Sequence, residues 1–168
     1  MNIRELDGKL VMPKTGKVLT LSPYQEEIIN NLYNSNQNIY YRTRMGNSTA
    51  LIYFLILVMK NIANYKICYI ANNDETKNKT ESDFEKYLQY NLKLINDTYI
   101  AEENTIGLDN DSNVTFYTAD RVSEALKERA SIKTKFDKII CENYVFSSSE
   151  EKELQKLFKT DIQYLLEN

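Results

Sequence analysis

Histidine is absent from all 168 residues. That excludes histidine general bases and histidine metal ligands. Cysteine is scarce: Cys68 and Cys141 both sit inside apolar runs with no metal-ligand spacing, and read as buried reduced thiols. No large charge excess is present. The net charge of −3 gives no overall electrostatic drive towards DNA or an anionic membrane, and leaves only a local basic patch for such a role. Long apolar runs are missing too. The most apolar stretch, Ala50 to Met59, is about half the length that a bilayer requires. The start, MNIRELDGKLVMP, lacks the apolar centre of a signal peptide. There is no internal repeat and no low-complexity linker. These absences predict a soluble cytoplasmic protein with no membrane partner.

What remains is ordinary globular composition, 42% hydrophobic and 27% charged. The length suits a single domain over 1–168, with 1–21 as an N-terminal arm. GKLVMPKTGKVLTL (Gly8–Leu21) predicts two short strands around a Pro/Gly turn. In SPYQEEIINNLYN, Ser22 is a good N-cap, Pro23 suits the first helical position and Gln25 completes a capping box. Ile28, Ile29 and Leu32 then mark an apolar face.

NIYYRT (Asn38–Thr43) predicts a short strand, and STALIYFLILVMKNIANY (Ser48–Tyr65) a helix buried on nearly every side. KICYIA (Lys66–Ala71) and FDKIICENYVF (Phe136–Phe146) have the continuous apolar character of parallel strands covered on both faces. NIYYRT, KICYIA and DKIIC are expected at the centre of the sheet. Asp74–Ile95 predicts an exposed helix with Phe84, Leu88, Leu92 and Ile95 on one face. Asn104–Ala119 predicts a hairpin turning at Asp109–Asn113, followed by a short helix capped by Asp120. From Ser147 to the last residue the expectation is helix, capped by Ser148 or Ser149. The alternation predicts an α/β fold with a mostly parallel central sheet flanked by helices, and the loop at Tyr41–Ser48 makes that fold P-loop NTPase-like.

The chemistry concentrates in YRTRMGNS (Tyr41–Ser48). A strand, a glycine-containing turn and a helix N-terminus make a phosphate-binding arrangement. The usual pattern is G-x-x-x-x-G-K-[ST]. Gly46 and Ser48 match it, whereas Tyr41 stands at the first glycine and Asn47 at the lysine. Such loops work with an acidic residue at the end of a neighbouring buried strand, which holds Mg²⁺. FDKIICENYVF ends in Glu142 and Asn143. An asparagine can orient a water but cannot take its proton. The acidic run AEEN and the pair Asp109/Asp111 read as turn and surface charge. Tyr40 and Tyr41 beside Arg42 and Arg44 read as strand aromatics before base-stacking groups.

Four ordered segments resemble the N-terminal ATPase domain of the large terminase subunit of tailed bacteriophages. LSPYQ (Leu21–Gln25) resembles the adenine-side glutamine motif, and RTRMGNST (Arg42–Thr49) the R-Q-x-G-K-[ST]-T loop. NTIGLDNDSNVTFYTA resembles the hairpin before the acidic strand, and FDKIICENYVF resembles f-D-x-h-h-h-D-E-x-x-F, where h is apolar. Asp137 and Phe146 set that register, with Glu142 at the Mg²⁺ aspartate and Asn143 at the catalytic glutamate.

The resemblance covers about residues 18 to 160. It implies viral DNA packaging, with ATP and Mg²⁺ as cofactors. Double-stranded DNA, the portal, other terminase components and further copies of the chain would be partners, in the host cytoplasm. ATP would lie between the loop and Gln25. Gly46 and Asn47 would face the phosphates, Arg42 and Arg44 would neutralise them, and Ser48 or Thr49 with Glu142 would hold Mg²⁺. The replacements Asn47 and Asn143 imply a degenerate Walker A loop and impaired or absent hydrolysis, a pseudoenzyme. Solvated surface is the alternative for both arginines. The family's coupling motif and nuclease domain are not expected within this chain. Two other readings stay open: a non-catalytic interaction or regulatory protein keeping the fold, and a degenerate superfamily 2 helicase-like ATPase.

Overall fold

The computed structural model describes residues 10–95, 99–128 and 135–168, with the side chains at 92–95 and 99 outside that description. The first helix, α1 (Pro23–Asn34), starts where the sequence predicts. Ser22 Oγ accepts from the Gln25 N–H, and Gln25 Oε1 accepts from the Ser22 N–H. Strand β1 (Ile39–Tyr41) leads through the loop into α2 (Asn47–Asn61). Positions 50–59 of α2 are all buried, so this helix forms the middle of a layer. Each fully buried large aliphatic or aromatic side chain there contributes ~1.5–3 kcal/mol of transfer free energy.

After α2 come β2 (Lys66–Ala71), α3 (Asp74–Ile95), β3 (Tyr99–Glu102), β4 (Thr105–Leu108) and β5 (Asn113–Thr118). The chain continues as α4 (Ala119–Lys127), β6 (Lys138–Glu142), α5 (Ser148–Phe158) and β7 (Ile162–Glu167). The seven strands form one sheet in the order β1-β7-β6-β2-β5-β4-β3. From β1 to β5 the neighbours are parallel, and β4 and β3 add an antiparallel edge. Period-two alternation sorts the strands' side chains between two cores. Ile67, Tyr69 and Ala71 of β2 pack with α1, α2 and α3, whereas Cys68 and Ile70 pack with α4 and α5. Both cysteines are buried and free, as their apolar settings predict.

Several boundaries differ from the sequence reading. The final helix stops at Phe158. Lys159 turns the chain at φ 55°, and IQYLLE inserts as β7 between β1 and β6. No glycine or proline marks that break, and the apolar run is claimed by parallel pairing on both sides. Strand β1 lies at the sheet edge rather than the centre, because β7 is its sole neighbour among the described residues. The cap of α4 is Thr118, whose Oγ1 accepts from the Arg121 N–H, and Asp120 lies in the first turn. The cap of α5 is Ser147, in a capping box with Glu150.

At the N-terminus, Gly8 and Lys9 fall outside the described residues. From Leu10 onward a single antiparallel bridge, Val11 to Val18, closes a turn in place of two strands. Asn91 of α3 pins this turn, accepting from the Val11 N–H and donating to its carbonyl. Phe84 and Leu88 are buried on α3 as expected; the Leu92 and Ile95 side chains lie outside the described residues.

Candidate functional site

The loop after β1 and the end of β6 are 96 positions apart (142 − 46), and both line one cleft of about 380 Å³. Their convergence follows from the sheet. Tyr41 is opposite Glu167 of β7, and Leu165 of β7 is opposite Glu142 of β6, so three strand ends finish side by side. Arg44, Gly46, Asn47 and Ser48 form one wall, and Glu142 and Asn143 the other. Arg42, Thr49 and Gln25 are outside the lining. Both arginine side chains are exposed.

Gly46 caps α2 at φ 76°, a left-handed conformation that side chains rarely adopt. Space gives a second reason for glycine there. A Cβ on Gly46 would lie 2.3 Å from Gln25 Nε2, which donates to the Gly46 carbonyl at 3.1 Å. The Tyr24 hydroxyl accepts from the Arg42 N–H at 2.8 Å. Two adjacent residues of α1 therefore hold the loop at both its ends.

Asn47 is 8% exposed. Its Nδ2 donates to the Arg42 carbonyl at 2.7 Å, across the loop, while its Oδ1 is buried without a hydrogen-bond partner. The donor contact fixes which amide atom is nitrogen. The donor at Asn47 is thus already used within the loop.

Glu142 is 7% exposed and forms the centre of a hydrogen-bonded chain. Tyr41 Oη donates to its Oε1 at 3.2 Å, and Tyr69 Oη donates to its Oε2. Tyr69 has one proton and gives it to the carboxylate, so Thr80 Oγ1 donates to Tyr69, at 3.2 Å. On the other side, Asn143 Nδ2 donates to Tyr41 Oη at 2.7 Å. Burial first, and the Glu142 charge second, push both tyrosine hydroxyls well above their ordinary range, which keeps them protonated as donors.

Asn143 is committed as fully. It sits at φ 53°, a region that asparagine tolerates better than most residues. Its N–H donates to the Leu165 carbonyl at 2.9 Å, and its Oδ1 accepts from the Glu167 N–H at 2.8 Å. Together with the Tyr41 contact, these ties join the ends of β6, β7 and β1. The side chain is a clasp between strands.

The donor set can be tested against the cofactors that the resemblance implies. The N-terminus of α2, with Arg44 beside it, offers unpaired N–H groups suited to a phosphate. For Mg²⁺, Glu142 is partly committed: each of its oxygens accepts one hydroxyl and keeps a further lone pair, so a metal-bound water would share an oxygen with Tyr41 or Tyr69. Sequence reasoning singled out neither Tyr69 nor Glu167 for the site. Tyr69 reads as an ordinary strand aromatic. Glu167 was concealed by the expectation of a C-terminal helix; it lines the cleft from the end of β7.

Among the described residues no helix is long and apolar enough to cross a membrane. No protein-family model matches the chain, and no curated protein matches it in sequence. The likeness is structural. The large terminase of bacteriophage HK97 superposes with a TM-score of 0.70 at 14% identity, over 98% of this chain and 36% of that one. The ATPase domain of the large terminase of Thermus phage P74-26, in a point-mutant form, gives 0.66 at 10% identity, over 88% of this chain and 65% of that one. The UvsW helicase of bacteriophage T4 gives 0.66 at 12% identity, over 98% of this chain and 58% of that one. This chain therefore spans about a third to two thirds of the length of the structures it resembles. At these identities the likeness establishes the fold, an α/β architecture of the P-loop type shared by phage terminase ATPase domains and a phage helicase.

Proposed function

We propose that this chain is an ATPase-derived domain of the viral DNA-packaging type that binds nucleotide weakly and hydrolyses it very slowly or not at all. The observation that carries this reading is the commitment of Asn143, beside a Glu142 that Tyr41 and Tyr69 already hold, to contacts within the protein. Phosphoryl transfer in such sites relies on a metal held at the acidic strand end and on a group that positions the attacking water. Here the carboxylate is held by hydroxyls and the next residue, Asn143, is held by three protein contacts. The fold neighbours support the packaging setting, in which double-stranded DNA, portal and terminase components, and further copies of the chain would be partners. ATP with Mg²⁺ would be the ligand. The helicase-derived reading calls for a D-E-A-D-like strand end, and C-E-N-Y stands there.

The loss of a lysine–phosphate contact costs ~1.5–3 kcal/mol, about one to two decades in affinity. Titration calorimetry with ATP and Mg²⁺ is expected to give a dissociation constant above about 10 μM. Phosphate release is expected to stay at background with and without double-stranded DNA. Robust turnover by the unmodified chain overturns the reading. Submicromolar binding that Arg44→Ala abolishes would instead show that an arginine replaces the lysine.

A further inference from the structure

We infer that the cleft reads the phosphates of its ligand and not the base, so that its ligand class is any nucleoside triphosphate or a bare polyphosphate. The inference rests on the phosphate-binding reading above and departs from the adenine-side role that the resemblance gives Gln25.

Base recognition by glutamine needs its carboxamide presented in a plane set by the ligand, with oxygen and nitrogen both directed at the base edge. Gln25 is set by the protein instead. Its Oε1 accepts from the Ser22 N–H at 2.9 Å, and its Nε2 donates to the Gly46 carbonyl at 3.1 Å. The first contact fixes it to the start of α1, and the second fixes it to the cap of α2. A side chain at Gly46 would have to push the Gln25 carboxamide out of this contact. Gln25 thereby acts as a positioning residue that holds Gly46 in its left-handed conformation, which in turn aims the first N–H groups of α2.

The cleft lining agrees. Gln25 and Tyr24 are both absent from it, and the Tyr24 hydroxyl is occupied by the Arg42 N–H. Among the described residues the one ring in the lining is Tyr41, which is 4% exposed and anchored at its hydroxyl by Glu142 and Asn143. A base needs a ring face or an apolar shelf to rest on. Thr43, Gly46, Asn47 and Ser48 supply backbone and polar groups and no such shelf, and Arg44 could stack on any base without choosing among them.

The test is calorimetric comparison of ATP, GTP and tripolyphosphate, each with Mg²⁺, on the unmodified chain. The three dissociation constants are expected to agree within about fivefold. ATP binding tighter than GTP and tripolyphosphate by more than about fivefold overturns the inference and leaves the phosphate-binding reading intact. Absence of binding by all three at millimolar ligand overturns both. Gln25→Ala, checked for folding by circular dichroism, is expected to weaken all three ligands by the same factor. A loss confined to ATP in that variant would show that Gln25 reads adenine, and would overturn the inference even if the parent affinities were similar.

Discussion

Strand β6 carries a buried charge at each end, and the two ends solve the same problem with opposite chemistry. At its start, Lys138 is 5% exposed; at its finish, Glu142 is 7% exposed. Among the described residues neither belongs to an ion pair. Lys138 Nζ donates to the Ser35 carbonyl at 2.9 Å and to Asn36 Oδ1 at 3.2 Å. Ser35 is the C-cap of α1, whose last turn contains no basic residue, so Lys138 supplies from the sheet the positive charge that this helix end favours. Glu142 accepts from two tyrosine hydroxyls at the cleft. A buried charge that lacks a counter-ion is tolerable where neutral dipoles are fixed around it. The lysine secures a helix to the sheet. The glutamate lines the cleft, and its two hydroxyl partners hold it there.

The largest expected effect breaks the comparison at the glutamate end. Tyr69→Phe leaves Glu142 Oε2 without its donor on the side where Tyr69 itself is fully buried. Thr80, which is 8% exposed, loses its acceptor in the same change. A hydrogen bond to a charged group is worth ~1.5–3 kcal/mol, and the stranded oxygen adds a desolvation penalty, so a loss of about 3 kcal/mol is expected in urea denaturation. Tyr41→Phe should cost about 1 kcal/mol, because Tyr41 lines the cleft and water can take over its role. Equal losses in the two variants would mean that water reaches both oxygens and that the site is more open than its burial indicates.

A middle-sized effect concerns the residue after β6. Asn143→Glu restores the carboxylate that the family pattern calls for, but it does so at φ 53°. It also removes the donor to Tyr41. A non-glycine residue without asparagine's local tolerance costs ~1–2 kcal/mol in the left-handed region, and the lost contact adds about 1 kcal/mol. The variant, alone or with Asn47→Lys, is expected to be about 2 kcal/mol less stable and still inactive in phosphate release. Activity gained by the double variant would show that Asn143 had been holding back an otherwise complete site.

Sequence reasoning reached the sheet, the loop and the acidic strand because each has a local signature. Apolar continuity identified KICYIA and DKIIC, and the capping box fixed the start of α1 to the residue. It missed β7 because IQYLLE follows a helical pattern without glycine or proline, and becomes a strand only where β1 and β6 flank it. That one miss also hid Glu167 and placed β1 wrongly at the centre. In the site, the residue types were legible and their commitments were not. Nothing local tells that Asn47 spends its donor on Arg42, that Asn143 clasps β7, or that Tyr41 and Tyr69 meet Glu142 over separations of 101 and 73 residues.

The smallest effect sharpens the lysine end, and it is a pH dependence. Burial pushes the Lys138 ammonium down from 10.5 to about 8. A base with a lowered folded value is destabilising while the unfolded chain holds its proton more firmly than the folded one does. Between about pH 8 and 10.5 the unfolded state therefore binds more protons at this site, and stability rises with pH. Tyr41 and Tyr69 act in the opposite sense, but later. Their folded values are raised above 10.0, so the stability they contribute is fully present below pH 10 and is lost above it. Burial raises the Cys68 and Cys141 thiols above their ordinary 9.0 as well, so from about pH 9 they lower the stability of any variant alike, and the lysine is isolated by the difference from a variant that lacks its charge. Between about pH 8 and 10 the unfolding free energy of the unmodified chain is expected to gain on the order of 1–2 kcal/mol relative to Lys138→Met, which keeps the length of the side chain and removes the charge. Parallel urea titrations at pH 8, 9 and 10 provide the measurement. A constant difference between the two proteins across that range would mean that Lys138 keeps its proton throughout, and that the Ser35 carbonyl and Asn36 stabilise its charge as fully as water does.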